Sequence, residues 1–359
     1  MKKILILCGG RSAEHEISLI SAKGILGALD RTQFTPLLVG IGKDGTWYWE
    51  DEKTYFTGEF RADRIALNTQ CPKVTLAPYL TQGRKGRLDV QGAGPQEFDA
   101  VFPILHGQFG EDGTLQGMLD LIGIPYVGAR SGASWVCMDK WLTKTVCEKN
   151  GIAVAHYVGL RRGEALAPKL AEIERLGYPL FVKPSNQGSS VGVSKVTRRE
   201  ELAPAVENAL KYDRICLIER AILGRELECA VLGLRGAPKA SLPGEIIPSA
   251  KAGWYSYEAK YLGGDLARTE VPANLPPALT ERVQRFAERV FQVLECDGMA
   301  RVDMLYETAT DTLFLNEPNT LPGFTPISMY PQMWEASGLS YSKLITRLIE
   351  LAFEREESR

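Results

Sequence analysis

The opening stretch constrains the fold most. Lys3 to Leu7 is a short apolar run that ends at Gly9-Gly10, and Ile17, Ile20, Ile25, Leu26 and Leu29 then recur at mostly helical spacing. The apolar run reads as a buried strand and the recurrence as a helix with one apolar face. Thr35 to Ile41 reads as a second strand. Strand, glycine turn, helix and strand form a βαβ unit, so the chain begins with an α/β domain. Ser12 is the expected N-cap, with Glu14 and Glu16 in a first turn whose dipole favours acids.

Residues 50–97 are polar and poorly periodic, and read as an insertion, partly strand. A buried strand follows at Val101 to Leu105, then helices at Thr114 to Leu121 and Ser134 to Lys149. Near residue 150 the pattern changes to a small α+β module: strands at 179–184 and 191–196, a helix at 198–211 and a strand at 215–219. Beyond 220, strands are expected at 226–232, 300–306 and 312–317, with helices at 279–294 and 341–353. The tail 354–359 reads as a solvated helix end. There is no internal repeat and no low-complexity tract.

The chain has 359 residues and a formal net charge of −2, so it lacks the basic field that a nucleic acid or membrane surface requires. Small ligands in local charged pockets are expected instead. The seven cysteines form no C-x-x-C, which argues against a disulfide framework or zinc knuckle and for a reducing cytoplasm. Cys8, Cys137 and Cys229 read as core filler. The N-terminal apolar run is shorter than the ~7–15 residues of a signal peptide core. No run approaches the ~20 residues of a membrane span.

Four constellations can carry chemistry. The first is the loop Lys183-Pro184-Ser185-Asn186-Gln187-Gly188-Ser189-Ser190-Val191-Gly192-Val193. Its glycines and serines offer backbone N–H groups and hydroxyls to oxyanions, with Lys183 aimed at the same phosphate; a flexible hairpin is the plain alternative. Gly188 to Gly192 also fits the G-x-S-x-G nucleophile elbow. That reading fails on chain order: His15, His106 and His156 all precede Ser190, and a strand rather than a helix follows the loop.

The second pairs Arg301 and Asp303 with Glu317 and Asn319. Residues two apart on a strand share a face, so two carboxylates and an amide oxygen form a hard site suited to Mg²⁺ carried with nucleotide phosphates. Arg301 can stabilise developing negative charge; an edge-strand salt bridge is the alternative. The third is the helix opening at Gly9 to Glu16, which can hold a carboxylate while Glu14 pairs with an ammonium, against plain capping. The Rossmann and P-loop fingerprints are absent. The fourth, Ser249 to Tyr261, is aromatic-rich and reads as a lid over a ligand, or as a protein contact surface.

Together these segments resemble the D-alanine–D-alanine ligase family of the ATP-grasp superfamily. The resemblance also covers His106-Gly107, Gly110 to Gly117, Met138-Asp139-Lys140, Tyr257 to Tyr261 and Asn316 to Phe324, in family order over nearly the whole chain. It implies an α/β ATP-grasp fold of three domains: an N-terminal substrate-binding domain over 1–134, a central α+β unit over 135–217, and a C-terminal domain over 218–359 with a lid at 248–265. ATP would lie between the last two.

The resemblance further implies that Lys140, Lys183, Ser189, Ser190, Lys260 and Asn316 contact the nucleotide, with Glu219 at adenine and Glu226 at ribose. Asp303, Glu317 and Asn319 would hold two Mg²⁺ ions (or Mn²⁺). Glu14 and His106 would take the first D-alanine, Ser190 and Tyr261 would link to Glu14, Arg301 and Gly323 would flank the reacting carboxylate, and Ser328 would hold the second substrate. The implied reaction joins two D-alanines through a D-alanyl phosphate, supplying a peptidoglycan precursor, in a cytoplasmic homodimer. Other substrate pairs, a non-catalytic ATP-binding relative and an adaptor are the alternatives. Tyr261 stands where D-lactate-forming relatives carry histidine, which favours D-alanine. Pro318 replaces the aliphatic residue usual between the metal-binding Glu and Asn.

Overall fold

The computed structural model describes residues 1–248 and 267–357. Most of the lid expected at 248–265, with Lys260 and Tyr261, lies outside the described residues.

The βαβ opening is present. Strand Lys2–Gly9 pairs in parallel with Phe34–Ile41 on one side and Ala100–Pro103 on the other, and Trp47–Glu50 completes a four-stranded sheet. Ile4 to Cys8 are fully buried, as strands covered on both faces require. The helix runs His15–Ala28 rather than from Ser12. Ser12 Oγ accepts the Glu14 N–H and donates to the His106 carbonyl, so it closes a turn ahead of the helix. The insertion holds short strands in two small antiparallel sheets.

The single helix expected at 134–149 is two, Ser131–Met138 and Lys140–Lys149. Asp139 breaks it with extended backbone and caps the second helix by accepting the Trp141 and Leu142 N–H groups. Ala133, Cys137 and Cys147 from these helices pack under the third sheet with Val283, Val290 and Val302. The small α+β module has its own core, including Val158, Val182, Val206 and Ile218, beneath the antiparallel strands Tyr157–Arg161, Ile215–Arg220, Leu180–Pro184 and Ser194–Val196.

The third sheet is antiparallel, with Arg225–Gly233, Gly298–Glu307 and Thr312–Asn319 adjacent, and Gly244–Pro248 and Ala267–Glu270 outside them. The last strand continues through Pro318, which pairs with Val302. The closing helix Tyr341–Glu357 is not a solvated end. Arg355 is buried, donates to the Gly128 and Tyr126 carbonyls at 2.6 and 2.8 Å, and lies over the Tyr126 ring. The helix thereby fastens the C-terminus to the N-terminal domain, where Leu344, Ile345 and Leu348 share one core with Ile4 and Ile6. No helix among the described residues is long and apolar enough to cross a membrane.

Candidate active site

A cleft of about 420 Å³ opens between the small module and the third sheet. Lys140, Lys183, Ser190, Glu219, Glu226, Asp303, Asn316 and Glu317 line it, so most of the expected nucleotide contacts converge. Asn316 and Glu317 are neighbours in sequence, and on a regular strand they would face opposite sides. The pairing register slips here: Asp303 faces Glu317, but Met304 faces Leu315. This bulge leaves Asn316 unmatched and turns both side chains into the cleft.

Glu219 sits at the inner end, buried between two ammonium groups. Lys183 Nζ is 2.7 Å from one oxygen and Lys144 Nζ is 3.2 Å from the other. Burial alone would raise the Glu219 pKa, but the two lysines outweigh it and hold the carboxyl below the usual range. Lys144 is lowered, chiefly by its burial. Lys140 bridges Glu317 at 3.0 Å and the Gln187 carbonyl at 2.7 Å. This surplus of ammonium at the cleft floor suits a polyphosphate.

The Gly/Ser loop is tied at its base. Ser185 Oγ donates to Asp139, and Asn186 donates to Asp213 from both backbone and side chain. Ser189 and Ser190 both have left-handed backbone, at φ 51° and 59°, a costly conformation for serine that the anchored loop imposes. The turn sends Ser189 Oγ to Glu14 at 2.6 Å. The loop reaches Glu14 through Ser189, and Ser190 lines the nucleotide cleft.

A second, smaller cavity of about 80 Å³ adjoins the cleft and shares Gly188 and Glu317 with it. Glu14, His106, Arg301, Asn319 and Gly323 line it, together with Glu111. Gly107 is left-handed at φ 73°, and a side chain there would meet the Glu14 carboxylate at 3.0 Å. His106 is held by Ser21 Oγ and the Leu321 carbonyl, each at 3.1 Å, with the Glu111 carboxylate 3.7 Å away. Burial works against a charged His106, yet Glu111 and Glu14 raise its pKa overall. The Glu111 pKa is also raised, by burial first and by Glu14. Ser328 lies just behind Gly323, its hydroxyl held by Thr325.

Arg301 is clamped at the floor of this cavity. Its Nε and Nη2 donate to the two Asp303 oxygens at 2.7 and 2.6 Å, and Glu228 stands 3.1 Å from Nε. Asn319 donates to Asp303 as well. Asp303 and Glu317 are cross-strand partners and Asn319 is opposite Arg301, as the two-residue spacing anticipated. Among the described residues no three acidic, His or Cys side chains converge as a self-sufficient metal cage. Two carboxylates and an amide oxygen beside a polyphosphate cleft nonetheless fit Mg²⁺, which takes few protein ligands and completes its shell with phosphate and water.

The sequence reading missed Glu111, Glu228 and Lys144. Lys144 was within reach of pattern reasoning, because it lies four residues after Lys140 on one helix and so shares its face. Glu228 lies two residues after Glu226 on one strand and shares its face in the same way. Glu111 lies in a loop, where no periodicity points at a partner.

Residues 3–129 match the family model described as D-ala D-ala ligase N-terminus, and residues 146–350 the one described as D-ala D-ala ligase C-terminus. The D-alanine–D-alanine ligase A of Chromobacterium violaceum is 46% identical, over 98% of this chain and 95% of that protein. Among solved structures, the D-alanine–D-alanine ligase from Coxiella burnetii has a TM-score of 0.84 at 39% identity, covering 99% of this chain and 95% of that one. The D-Ala:D-Ser ligase VanG of Enterococcus faecalis has a TM-score of 0.82 at 34% identity, covering 98% and 99%.

Proposed function

The chain belongs to the D-alanine–D-alanine ligase family, and from that premise we propose the roles its side chains take. The activity is ATP-dependent joining of two D-alanines, which supplies a peptidoglycan precursor. The observation that carries the assignment of roles is the contact between the two cavities. A cleft rich in ammonium groups meets a small pocket lined by the Glu14 carboxylate and the Arg301 guanidinium, across Gly188 and Glu317.

ATP lies between the unit over 135–217 and that over 218–359, with Glu219 at the base, Glu226 at the ribose, and Lys140, Lys183, Ser190 and Asn316 along the phosphates, while Ser189 holds Glu14. The first D-alanine enters the small pocket from the domain over 1–134. Its ammonium pairs with Glu14, beside His106, and its carboxylate points to Arg301 and Gly323. A carboxylate resists attack, because its charge repels nucleophiles and oxide leaves poorly. Transfer of the γ-phosphoryl group to it gives an acyl phosphate, whose leaving group is good. Asp303, Glu317 and Asn319 would hold Mg²⁺, which would supply charge to neutralise the phosphates. Ser328 orients the second D-alanine so that its free amine attacks the acyl carbon. Arg301 and the Gly323 backbone stabilise the oxyanion, and phosphate departs. Lys260 and Tyr261 are assigned to the γ-phosphate and the closed lid by resemblance. A homodimer in the cytoplasm completes this reading; the free thiols of all seven cysteines support the compartment.

Phosphate release from ATP, with D-alanine, L-alanine, D-serine, D-lactate or nothing added, tests it alongside mass spectrometry of products. D-alanine-dependent release with D-alanyl-D-alanine formed is the expected result. Turnover only with another second substrate would overturn the assignment of Tyr261 and Ser328.

A further inference from the structure

Lys144 is the least expected charge in the molecule. It is 1% exposed, lines the nucleotide cleft, and stands 3.2 Å from Glu219 Oε1. Yet among the described residues neither its Nζ nor that oxygen is in hydrogen-bonding geometry with any group. Taking an ammonium out of water costs free energy that a single ion contact outside hydrogen-bonding geometry offsets only in part. Its presence is therefore not explained by stability.

Glu219 supplies an explanation. Among the described residues the carboxylate has two cationic neighbours, and they differ in what else they can do. Lys183 ends its strand at the Gly/Ser loop and also lies 3.5 Å from Asn316 Oδ1, so it is placed to turn to a bound triphosphate. Lys144 comes from the middle of a helix, packed over the Tyr157 ring and next to Cys147, with nowhere else to go. Once phosphates claim Lys183, Lys144 is the counter-charge left to Glu219. A carboxylate held ionised can only accept hydrogen bonds. A protonated one can also donate.

We propose that Lys144 is a positioning residue for nucleobase choice: it keeps Glu219 an acceptor-only group, so that the cleft takes a base bearing an exocyclic amine and rejects one bearing a carbonyl there. This rests on the reading that Glu219 faces the base. The lowered pKa of Glu219 in a fully buried setting agrees with it. The discrimination arises because a carbonyl oxygen facing a fixed carboxylate leaves two acceptors opposed with no proton between them.

The test compares dissociation constants of ATP and ITP, which differ in the exocyclic group at C6 and in the proton that N1 gains with it, by calorimetry on the full chain without D-alanine. Lys144→Met is expected to lower the ITP-to-ATP ratio of dissociation constants about tenfold or more, the order of one charged hydrogen bond. Glu219→Gln is expected to lower the ratio too, and adding Lys144→Met to it should change the ratio no further, because an amide needs no counter-charge. Lys144→Gln serves as the second variant if the methionine form does not fold. An unchanged ratio, or equal weakening of both nucleotides, overturns the proposal; the latter would make Lys144 a general phosphate charge. Additive effects of the two substitutions would overturn it as well. A parent protein that binds no ATP, or releases no phosphate with D-alanine, instead overturns the functional reading beneath it.

Discussion

Replacing Arg301 by lysine keeps the positive charge and removes the fork. The guanidinium now meets both Asp303 oxygens at 2.7 and 2.6 Å and Glu228 at 3.1 Å, and the compact lysine ammonium cannot match that planar two-pronged geometry. In the reaction, the planar donor aimed at the oxyanion is lost. Removal of one such preorganised donor typically costs about 2.7–4 kcal/mol at the transition state, a fall in kcat of roughly 10²–10³. Because the residue lies outside the nucleotide-binding lysines, the KM for ATP should stay within about threefold. Arg301→Met is a separate perturbation. It removes the guanidinium from between Asp303 and Glu228, which are 4% and 3% exposed. That should cost about 3–5 kcal/mol of stability. The assay is steady-state phosphate release at saturating ATP and D-alanine, paired with urea unfolding of each variant. A folded Arg301→Lys enzyme with kcat within twofold of the parent would refute the assignment of Arg301 to the oxyanion.

Ser189→Ala should raise the KM for the first D-alanine roughly fivefold to tenfold, because it removes a hydrogen bond of 2.6 Å to a charged group; steady-state kinetics over D-alanine concentration checks this. Glu50 is buried, with one oxygen unbonded among the described residues, and its pKa is raised from 4.5 to about 7, chiefly by that burial. A carboxyl whose folded value is raised favours folding while protonated, so stability should be full below pH ~4.5 and fall by about 1–3 kcal/mol as pH rises through 7. Glu50→Gln should flatten that loss in urea titrations at pH 5 and pH 8. Arg355→Met should destabilise by about 3–5 kcal/mol, through two charge-assisted bonds and one ring contact, read from the shift in urea midpoint.

Much of the site was legible along the chain because strands and helices have short periods. Arg301 and Asp303, or Glu317 and Asn319, share a face by the two-residue rule, and their opposition across the strands adds only a register. The Gly/Ser loop was legible through composition. Which serine points at Glu14 was not, because that depends on two left-handed serines held by anchors to Asp139 and Asp213. The insertion's small sheets were blurred, because strands of three residues carry too little periodicity to resolve. The break at Asp139 was hidden, since the apolar pattern runs on across it and only cap geometry ends the helix.

By itself the sequence determined the βαβ start, the antiparallel strands of the third sheet, the polar groups available to a phosphate and the family likeness. These follow from neighbours within a few residues. The tertiary structure decided the bulge that turns Asn316 and Glu317 to one side, the burial of Lys144 against Glu219, the pairing of His106 with Glu111, and the docking of Arg355 on Tyr126. The His106–Leu321 and Arg355–Tyr126 contacts join residues more than 200 apart. Such contacts form where packing brings separate segments together and excludes water, and local spacing carries no record of that.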